Sequence, residues 1–171
     1  QGVDARVDNG QVVRAHNCEL HIIDSTLDGP EGIFAVESTV TLENSVVKGR
    51  GQGIGVTGGS DLVLSGTTVS SPNIGIRFGS TGVLDLQKRS HISGGAKGLS
   101  LAAGGKVLIG KGSSVSSDGT AVAGYSFNVI ECDGGRIEGE RALVLLSSGK
   151  LGISGCDVRG AQDLGKTPTI Y

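Results

Sequence analysis

The residues of this chain that could do chemistry are its carboxylates, provided that a repeat places them side by side. Paired carboxylates on adjacent units can bind Ca²⁺ or act as general acid and base on a polysaccharide. Leu108 separates Asp85 from Glu131, so these two carboxylates lie two units and about 9–10 Å apart. We therefore expect no catalytic pair and no enzymatic activity. The outward column that contains them reads His21, Thr41, Val63, Asp85, Leu108, Glu131 and Gly152.

A second outward column also brings no carboxylates together. His16, His21 and His91 fall on different units, and the cysteines lack the paired spacing of a zinc site. We interpret both columns as solvated faces and expect no catalytic residue, no metal site and no cofactor. The second column reads Thr26, Val46, Thr68, His91, Ser114, Arg136 and Asp157.

Two further motifs fail for geometric reasons. Residues 105–112 nearly match a phosphate-binding loop, but the last position lacks the Ser or Thr that holds Mg²⁺. Residues 107–109 are also a core strand of the repeat, which removes the turn that such a loop needs. A flat Thr ladder of the ice-binding kind needs Thr on successive units, but Val63 follows Thr41. Neither motif predicts a site.

The composition sets the broad class of protein. The chain has 171 residues, of which 31 are Gly and 3 are Pro, and its net charge is −2. It lacks a Gly-X-Y period, a long apolar run and a basic patch, which excludes collagen, a transmembrane helix and a nucleic-acid footprint. So much Gly also argues against a helical protein, because each interior Gly costs about 1 kcal/mol relative to Ala. We expect one domain over residues 1–171, without a nucleic-acid partner or direct membrane insertion.

An internal repeat explains why the chain contains so many Gly residues. The pattern is apolar-x-apolar, then Ser, an apolar residue and Gly, as at Leu20, Ile22, Ser25, Leu27 and Gly29. Seven copies start at positions 20, 40, 62, 84, 107, 130 and 151, which are 20 to 23 residues apart. Each copy holds three short runs of alternating apolarity separated by turn residues. Alternation at period two, with many β-branched residues, indicates strands.

These runs cannot pair as hairpins, because the Gly residues separate unlike runs. Each run must then lie on the same run of the next unit. The sequence predicts an all-β, right-handed parallel β-helix, a solenoid of seven coils of about 22 residues with three sheets. Three inward columns would form its core. They are Leu20, Val40, Leu62, Leu84, Val107, Ile130 and Leu151; Ile22, Leu42, Leu64, Leu86, Ile109, Cys132 and Ile153; and Leu27, Val47, Val69, Ile92, Val115, Ile137 and Val158.

The ends and the cysteines leave alternatives open. The coils cover about residues 12–160, and residues 161–171 are expected to form an irregular tail. Neither end resembles a cap, which favours a fragment of a longer protein over terminal segments that fold across the ends. Cys18 is too many coils away from the other two cysteines to bond with them. A disulfide between Cys132 and Cys156 is open but not favoured, because the two fall in different columns.

The edge between the second and third runs varies most from coil to coil. In solenoids such variation is typical of a surface that meets partners, although ordinary solvated turns vary as well. We predict a partner-binding edge whose candidate residues are Arg50, Gln52, Asn73, Lys97, Asp118 and Arg141.

One stretch has a counterpart in a known family. Residues 23–29 (Ile-Asp-Ser-Thr-Leu-Asp-Gly) are followed by Gly32-Ile33 and then by residues 39–45 (Thr-Val-Thr-Leu-Glu-Asn-Ser). This pattern, which continues over about residues 12–160, resembles the coils of bacterial autotransporter passenger domains. The resemblance implies a secreted or surface-displayed, non-enzymatic adhesin or virulence factor that presents loops to a host protein or cell-surface receptor. Passenger domains usually avoid Cys, so the three cysteines depart from the pattern.

Two other functions remain open. A polysaccharide-binding or lyase-like β-helix would hold carbohydrate against one face, but Phe34, Phe78, Tyr125 and Phe127 are scattered over several coils and form no stacking groove. An intracellular bacterial effector or scaffold would suit free thiols. No signal peptide is recognisable, which fits a mature secreted protein, an excised fragment or a cytoplasmic protein. The sequence does not fix the oligomeric state.

Overall fold

Strands follow the repeat along the chain. A computed structural model describes residues 2–126, 128–145 and 151–163. All regular secondary structure in that part of the chain is β-strand. These strands form a parallel β-solenoid of about seven coils of about 22 residues, as predicted. They are β1 (Asp4–Arg6), β2 (Gln11–His16), β3 (Glu19–Ile23), β4 (Thr26–Val36), β5 (Thr39–Glu43), β6 (Val46–Gly58), β7 (Asp61–Ser65), β8 (Thr68–Ser71), β9 (Ile74–Ser80), β10 (Val83–Gln87), β11 (His91–Gly94), β12 (Lys97–Leu101), β13 (Lys106–Ile109), β14 (Ser114–Gly124), β15 (Asn128–Cys132), β16 (Arg136–Leu145), β17 (Leu151–Ser154) and β18 (Asp157–Asp163).

The first run of each coil builds one parallel sheet. Its seven strands follow the order β17-β15-β13-β10-β7-β5-β3, so each strand lies on the equivalent strand of the next coil. Leu84, for example, pairs with Leu62 on one side and with Val107 on the other. All three are fully buried, because alternate side chains of a strand point to opposite faces of its sheet.

The second and third runs join in a sheet of 11 strands. In β4, β6 and β14 the chain passes from the second run to the third without leaving the sheet, and the register shifts at the corner, for example between Gly29 and Glu31. In the coils of β8 and β11 the strand ends at this corner, at Ser71 and Gly94, and a new strand begins three residues later. The predicted third sheet is therefore continuous with the second.

The predicted core columns are confirmed through the sixth coil. The third column pairs in register from Leu27 to Val158. The first column is likewise continuous from Leu20 to Ile130. Burying such aliphatic side chains contributes roughly 1.5–3 kcal/mol each.

In the seventh coil the predicted register of the first run is wrong by two residues, whereas that of the second run is confirmed at Val158. Ile130 pairs with Ile153 instead of Leu151, and Glu131 pairs with Ser154 instead of Gly152. The reason is a short turn. Val158 comes five positions after Ile153, whereas the equivalent residues of the earlier coils are seven or eight positions apart. The chain makes this turn at Gly155, whose φ is +67°.

A column of buried hydroxyls ties the coils together at the first turn. The backbone N–H of Ser25 donates to the hydroxyl of Ser45 (3.1 Å), and the N–H of Ser45 donates to the hydroxyl of Thr67 (3.3 Å). The same bond recurs to Ser90 and to Ser113, both at 3.1 Å. These hydroxyls satisfy backbone groups that would otherwise be buried without a partner. We call this set, Ser25, Ser45, Thr67, Ser90 and Ser113, the hydroxyl column.

A disulfide takes over where the hydroxyl column ends. Gly135 and Cys156 occupy the next two positions of that column, since the residues after them, Arg136 and Asp157, pair in register. Cys156 is bonded to Cys132, with the two Cα atoms 4.8 Å apart. The expectation against this bond is therefore wrong. That expectation used the predicted register of the seventh coil. The short turn at Gly155 changes this register and places Cys156 beside the end of β15.

The ends differ from the middle of the solenoid. At the N-terminal end an apolar opening of about 420 Å³ is lined partly by Val3, which is 58% exposed, and Ile23, which is 50% exposed. Cys18 is an exposed free thiol at this end. At the other end β18 continues to Asp163, so residues 161–163 are strand, and the rest of the expected tail lies outside the described residues.

Candidate binding groove

An open groove of about 670 Å³ runs along the solenoid at the corner where the second run of each coil ends. It crosses six coils from Asp28 to Glu138, which belong to one register column. Five steps of about 4.8 Å make it roughly 24 Å long. We call it the edge groove. Its lining residues are Asp28, Lys48, Gly49, Arg50, Ser70, Ser71, Pro72, Ser93, Gly94, Gly95, Ser116, Ser117, Asp118 and Glu138.

Tight backbone packing makes the groove concave. A Cβ added at Gly94 would overlap the backbone carbonyl of Lys97, and one added at Gly49 would overlap the carbonyl of Gln52. Only Gly fits where the chain folds back on itself so closely. Both glycines are buried on the core side of the strand, so this close approach lets the chain bend sharply at the corner, and the groove lies over the outward side chains.

Three serines form the middle of the groove floor. Ser70, Ser93 and Ser116 follow one another in register, one per coil, and all three are half-buried. Among the described residues, Ser70 and Ser93 make no side-chain hydrogen bond, and Ser116 donates only a long one of 3.4 Å to the carbonyl of Ile92. Their hydroxyls are therefore available to a ligand as donors and acceptors.

The N-terminal end of the groove carries a fixed positive charge. Nη2 of Arg50 donates to the carbonyls of Val7 (3.0 Å) and Asp8 (2.9 Å), which holds the guanidinium in place across the first coils. Lys48 is exposed beside it, and Asp28 is half-buried at the very end. This end can accept a polar or negatively charged group.

The C-terminal end of the groove is acidic. Asp118 and Glu138 are both exposed there, and Oε2 of Glu138 lies 3.9 Å from Nη1 of Arg136. Between the two ends, the coils of Ser70 and Ser93 contribute no charged residue to the lining. The groove is thus uncharged in the middle, with opposite charges towards its two ends.

The structure brings two of the six predicted edge residues into the edge groove. Arg50 and Asp118 line it at opposite ends. Asn73 is exposed in the turn that follows Pro72, and its backbone carbonyl accepts two N–H groups of the next coil.

The other three predicted residues lie in a separate column beyond the corner. Gln52, Lys97 and Arg141 share this column through register pairings. Nε2 of Gln52 donates to Oε1 of Glu31 (2.8 Å), and Nζ of Lys97 donates to the Tyr125 hydroxyl (2.6 Å). The predicted edge is therefore divided into two surfaces, and partner binding by its residues stays a prediction.

Sequence reasoning missed the serines of the floor. Ser70, Ser93 and Ser116 stand between a core residue and the variable turn, at the one outward position of the second run that faces the groove. Their repetition over three successive coils is a signal that can be read from the sequence. The concave shape above them is not, because it depends on how tightly the corner folds.

The carboxylates considered first are held apart, as expected. Leu108 pairs in register between Asp85 and Glu131. Oδ2 of Asp85 accepts from Nε2 of Gln87 (2.6 Å), and Oε2 of Glu131 lies 2.9 Å from Nζ of Lys106. Each carboxylate thus has its own polar partner and lies outside the edge groove.

The second outward column is confirmed in register and carries an exposed ion-pair cluster at its end. Nε of Arg136 lies 3.2 Å from Oδ2 of Asp157, and Nη2 of Arg159 lies 3.0 Å from the same oxygen. The hydrogen bond from Arg159, together with the positive charges of Arg159 and Arg136, lowers the pKa of Asp157. His91 of the same column contacts the Ser114 hydroxyl through Nδ1 at 2.9 Å.

The two other motifs are also placed by the strands. Residues 106–109, inside the near-match to a phosphate-binding loop, form β13 in the middle of the first sheet. Thr41 pairs with Val63, so no flat Thr ladder continues from it.

Aromatic rings are absent from the described lining of the edge groove. Phe78 is fully buried in the core, and Tyr125 lies beside Lys97, with the Nζ atom 5.2 Å from the ring centre. Phe127 lies outside the described residues.

Neither a metal cluster nor a membrane span is found in the described part of the chain. It holds no group of three or more His, Cys, Asp or Glu side chains arranged to bind a metal ion. It also has no helix with the length and apolar character to cross a membrane.

Comparison of the chain with protein-family models, with curated proteins and with solved structures finds no match.

Proposed function

We propose that this chain is a non-enzymatic binding domain, secreted or displayed on a bacterial surface, that holds a host molecule against the edge groove. One observation carries the proposal: a continuous concave surface crosses six coils and leaves polar side chains free. Grooves of this volume with a few well-placed polar groups are the usual form of a binding site. The resemblance of the coil pattern to that of autotransporter passenger domains adds support for surface display and for an adhesive role.

The disulfide supports a location outside the cytoplasm. Disulfides persist in oxidising compartments and are rare where thiols are kept reduced. The bond between Cys132 and Cys156 joins two coils of the structural framework. Of the three cysteines only Cys18 is a free thiol. Three free thiols would suit an intracellular effector, so the disulfide weakens that alternative.

Binding without turnover fits the chemistry of the groove. Among the described residues its lining contains no His, the base that most often activates a serine hydroxyl as a nucleophile. Asp118 and Glu138 are exposed, whereas a general acid that works at neutral pH is usually held in an apolar pocket.

A second candidate function is polysaccharide cleavage, which the presence of Asp118 and Glu138 at the same end of the groove favours. Release of new reducing ends from soluble polysaccharides measures it directly. Under the proposed function the wild-type chain releases none above background. Turnover that Glu138→Gln removes would replace binding by catalysis as the function of this groove.

The test of binding uses beads coated with the 171-residue chain and cultured epithelial cells. We expect saturable adhesion that Ser93→Arg reduces at least tenfold, because an Arg side chain fills the middle of the groove. The matched control is Thr41→Arg, which is also half-buried and outward-facing but lies on the first sheet. Circular dichroism and thermal unfolding check that both variants fold.

Two outcomes would contradict the proposal. Wild-type beads that adhere no better than albumin-coated beads would remove the host-binding function. Folded Ser93→Arg that adheres as well as the wild type would move binding away from the edge groove.

A further inference from the structure

We propose that the edge groove binds a neutral, linear glycan that lies along the solenoid axis with about one sugar residue per coil. This inference rests on the proposed function, since it names the class of molecule that the groove would hold. Four properties of the groove carry it: its period, its free hydroxyls, its charges and its closed backbone.

The period of the groove matches an extended pyranose chain. Equivalent residues repeat about every 4.8 Å along the groove, which is close to the length of one sugar residue in an extended glycan. A chain of four to six sugars would therefore meet the same pattern of protein groups at each step. The open, straight floor over six coils suits a polymer better than a compact small molecule.

The hydroxyls of the floor suit a polyhydroxylated partner. Ser70, Ser93 and Ser116 each present a group that can donate and accept, and a glycan offers hydroxyls that do the same. Ser70 and Ser93 give up no protein hydrogen bond on binding, because within the described residues their side chains make none. Because the described lining has no aromatic ring to stack on a sugar, we expect hydrogen bonds to dominate and the affinity to be modest.

The charges of the groove select against polyanions. Lys48 and Arg50 at one end can accept a single anionic sugar, but Asp118 and Glu138 at the other end repel one. A polymer with a carboxylate or sulfate on every residue would place negative charge beside both acidic residues and over an uncharged middle. A neutral chain avoids this repulsion.

An extended polypeptide fits the groove less well. The floor is the face of a sheet, not its edge, and β8, β11 and β14 are hydrogen-bonded to neighbours on both sides. No backbone groups remain there for the strand addition by which extended peptides usually bind. A peptide also rises about 3.3 Å per residue, out of step with the coils.

The binding test uses isothermal titration of the full chain with cellohexaose, mannohexaose, maltohexaose and chitohexaose, and with hexagalacturonate as the polyanion. We expect at least one neutral hexasaccharide to bind with a Kd of about 0.1–1 mM. The trisaccharide of the same series should bind at least tenfold more weakly, because it spans fewer coils. Hexagalacturonate should not bind.

Variants separate the hydroxyls from the shape of the groove. Ser70→Ala and Ser93→Ala should each raise the Kd about three- to tenfold, since each removes one hydrogen bond and leaves the groove open. Ser93→Arg should abolish binding. Thr41→Ala, on the first sheet, should leave the Kd unchanged.

The bead assay distinguishes this inference from the proposed function. Periodate oxidation of the cell surface, which cleaves the vicinal diols of sugars, should remove adhesion. Adhesion that resists periodate but is lost with protease would overturn the glycan inference and leave host binding in place. Binding of hexagalacturonate without any neutral hexasaccharide would also overturn it. Hexasaccharide binding without cell adhesion would support the inference and remove the host-binding function.

Discussion

Ser45 shows how much one side chain of the hydroxyl column does. It is 1% exposed, its hydroxyl accepts the N–H of Ser25, and it donates to the carbonyl of Glu43 at 2.7 Å. Ser45→Ala leaves a buried N–H without a partner, so we expect a loss of about 1–3 kcal/mol in the free energy of unfolding. Urea unfolding measures it. Ser70→Ala is the matched control and should change stability by less than about 0.5 kcal/mol, and an equal loss in both variants would contradict the role of the column.

The contribution of Asp157 to the stability of the folded state depends on pH. Its pKa is lowered by the hydrogen bond from Arg159 and by the nearby positive charges, so the carboxylate stabilises the folded state above its unfolded pKa. That contribution is lost as the pH falls through the lower, folded pKa, and it is small because the group is exposed. Carboxyl NMR titration should show Asp157 titrating below an ordinary Asp, and Arg159→Gln should move it back up. A midpoint that ignores this substitution would contradict the assignment.

The last coil depends on its disulfide more than the others depend on any single bond. The hydroxyl column stops at Gly135, and the pairing of β16 with β18 has two register shifts. The bond between Cys132 and Cys156 closes a loop of sequence separation 24, a constraint worth about 3 kcal/mol. We expect Cys132→Ala/Cys156→Ala to raise the hydrogen-exchange rates of the β18 amides while β6 to β11 stay protected.

Cys18→Ala is the matched control for that experiment, since Cys18 is free and lies at the other end. Thiol counting by mass spectrometry should find one free thiol per chain before reduction and three after it. Three free thiols before reduction would show that Cys132 and Cys156 are not bonded.

The periodicity of the sequence predicts the strands and their core residues. It does not predict features that depend on the length and shape of a turn. Leu27 and its successors are aliphatic at a constant phase, so the third column could be read directly from the sequence. The seventh coil could not, because Leu151 and Ile153 both fit the first core position and only the length of the turn at Gly155 selects one of them. The disulfide and the edge groove are likewise products of turn geometry, which single-residue patterns do not encode.

We expect the local stability of the solenoid to decrease from its middle coils towards its ends. An interior coil is hydrogen-bonded to a coil on each side, whereas among the described strands β1 and β2 pair only with β4, and β3 pairs only with β5. Hydrogen exchange should therefore be slowest in β7 to β13 and faster in β1 to β3. Uniform exchange along the chain would instead indicate a single cooperative unit.

The same stack responds to a pulling force in a particular way. The hydrogen bonds between coils run along the solenoid axis, so tension applied through the two ends peels coils off one after another. The covalent loop between Cys132 and Cys156 cannot be drawn out, which hides the length of about 24 residues, or roughly 80 Å, from the extending chain. A single molecule stretched with and without reductant would differ in final length by that amount. The bond is therefore a mechanical limit on how far the domain can be unravelled.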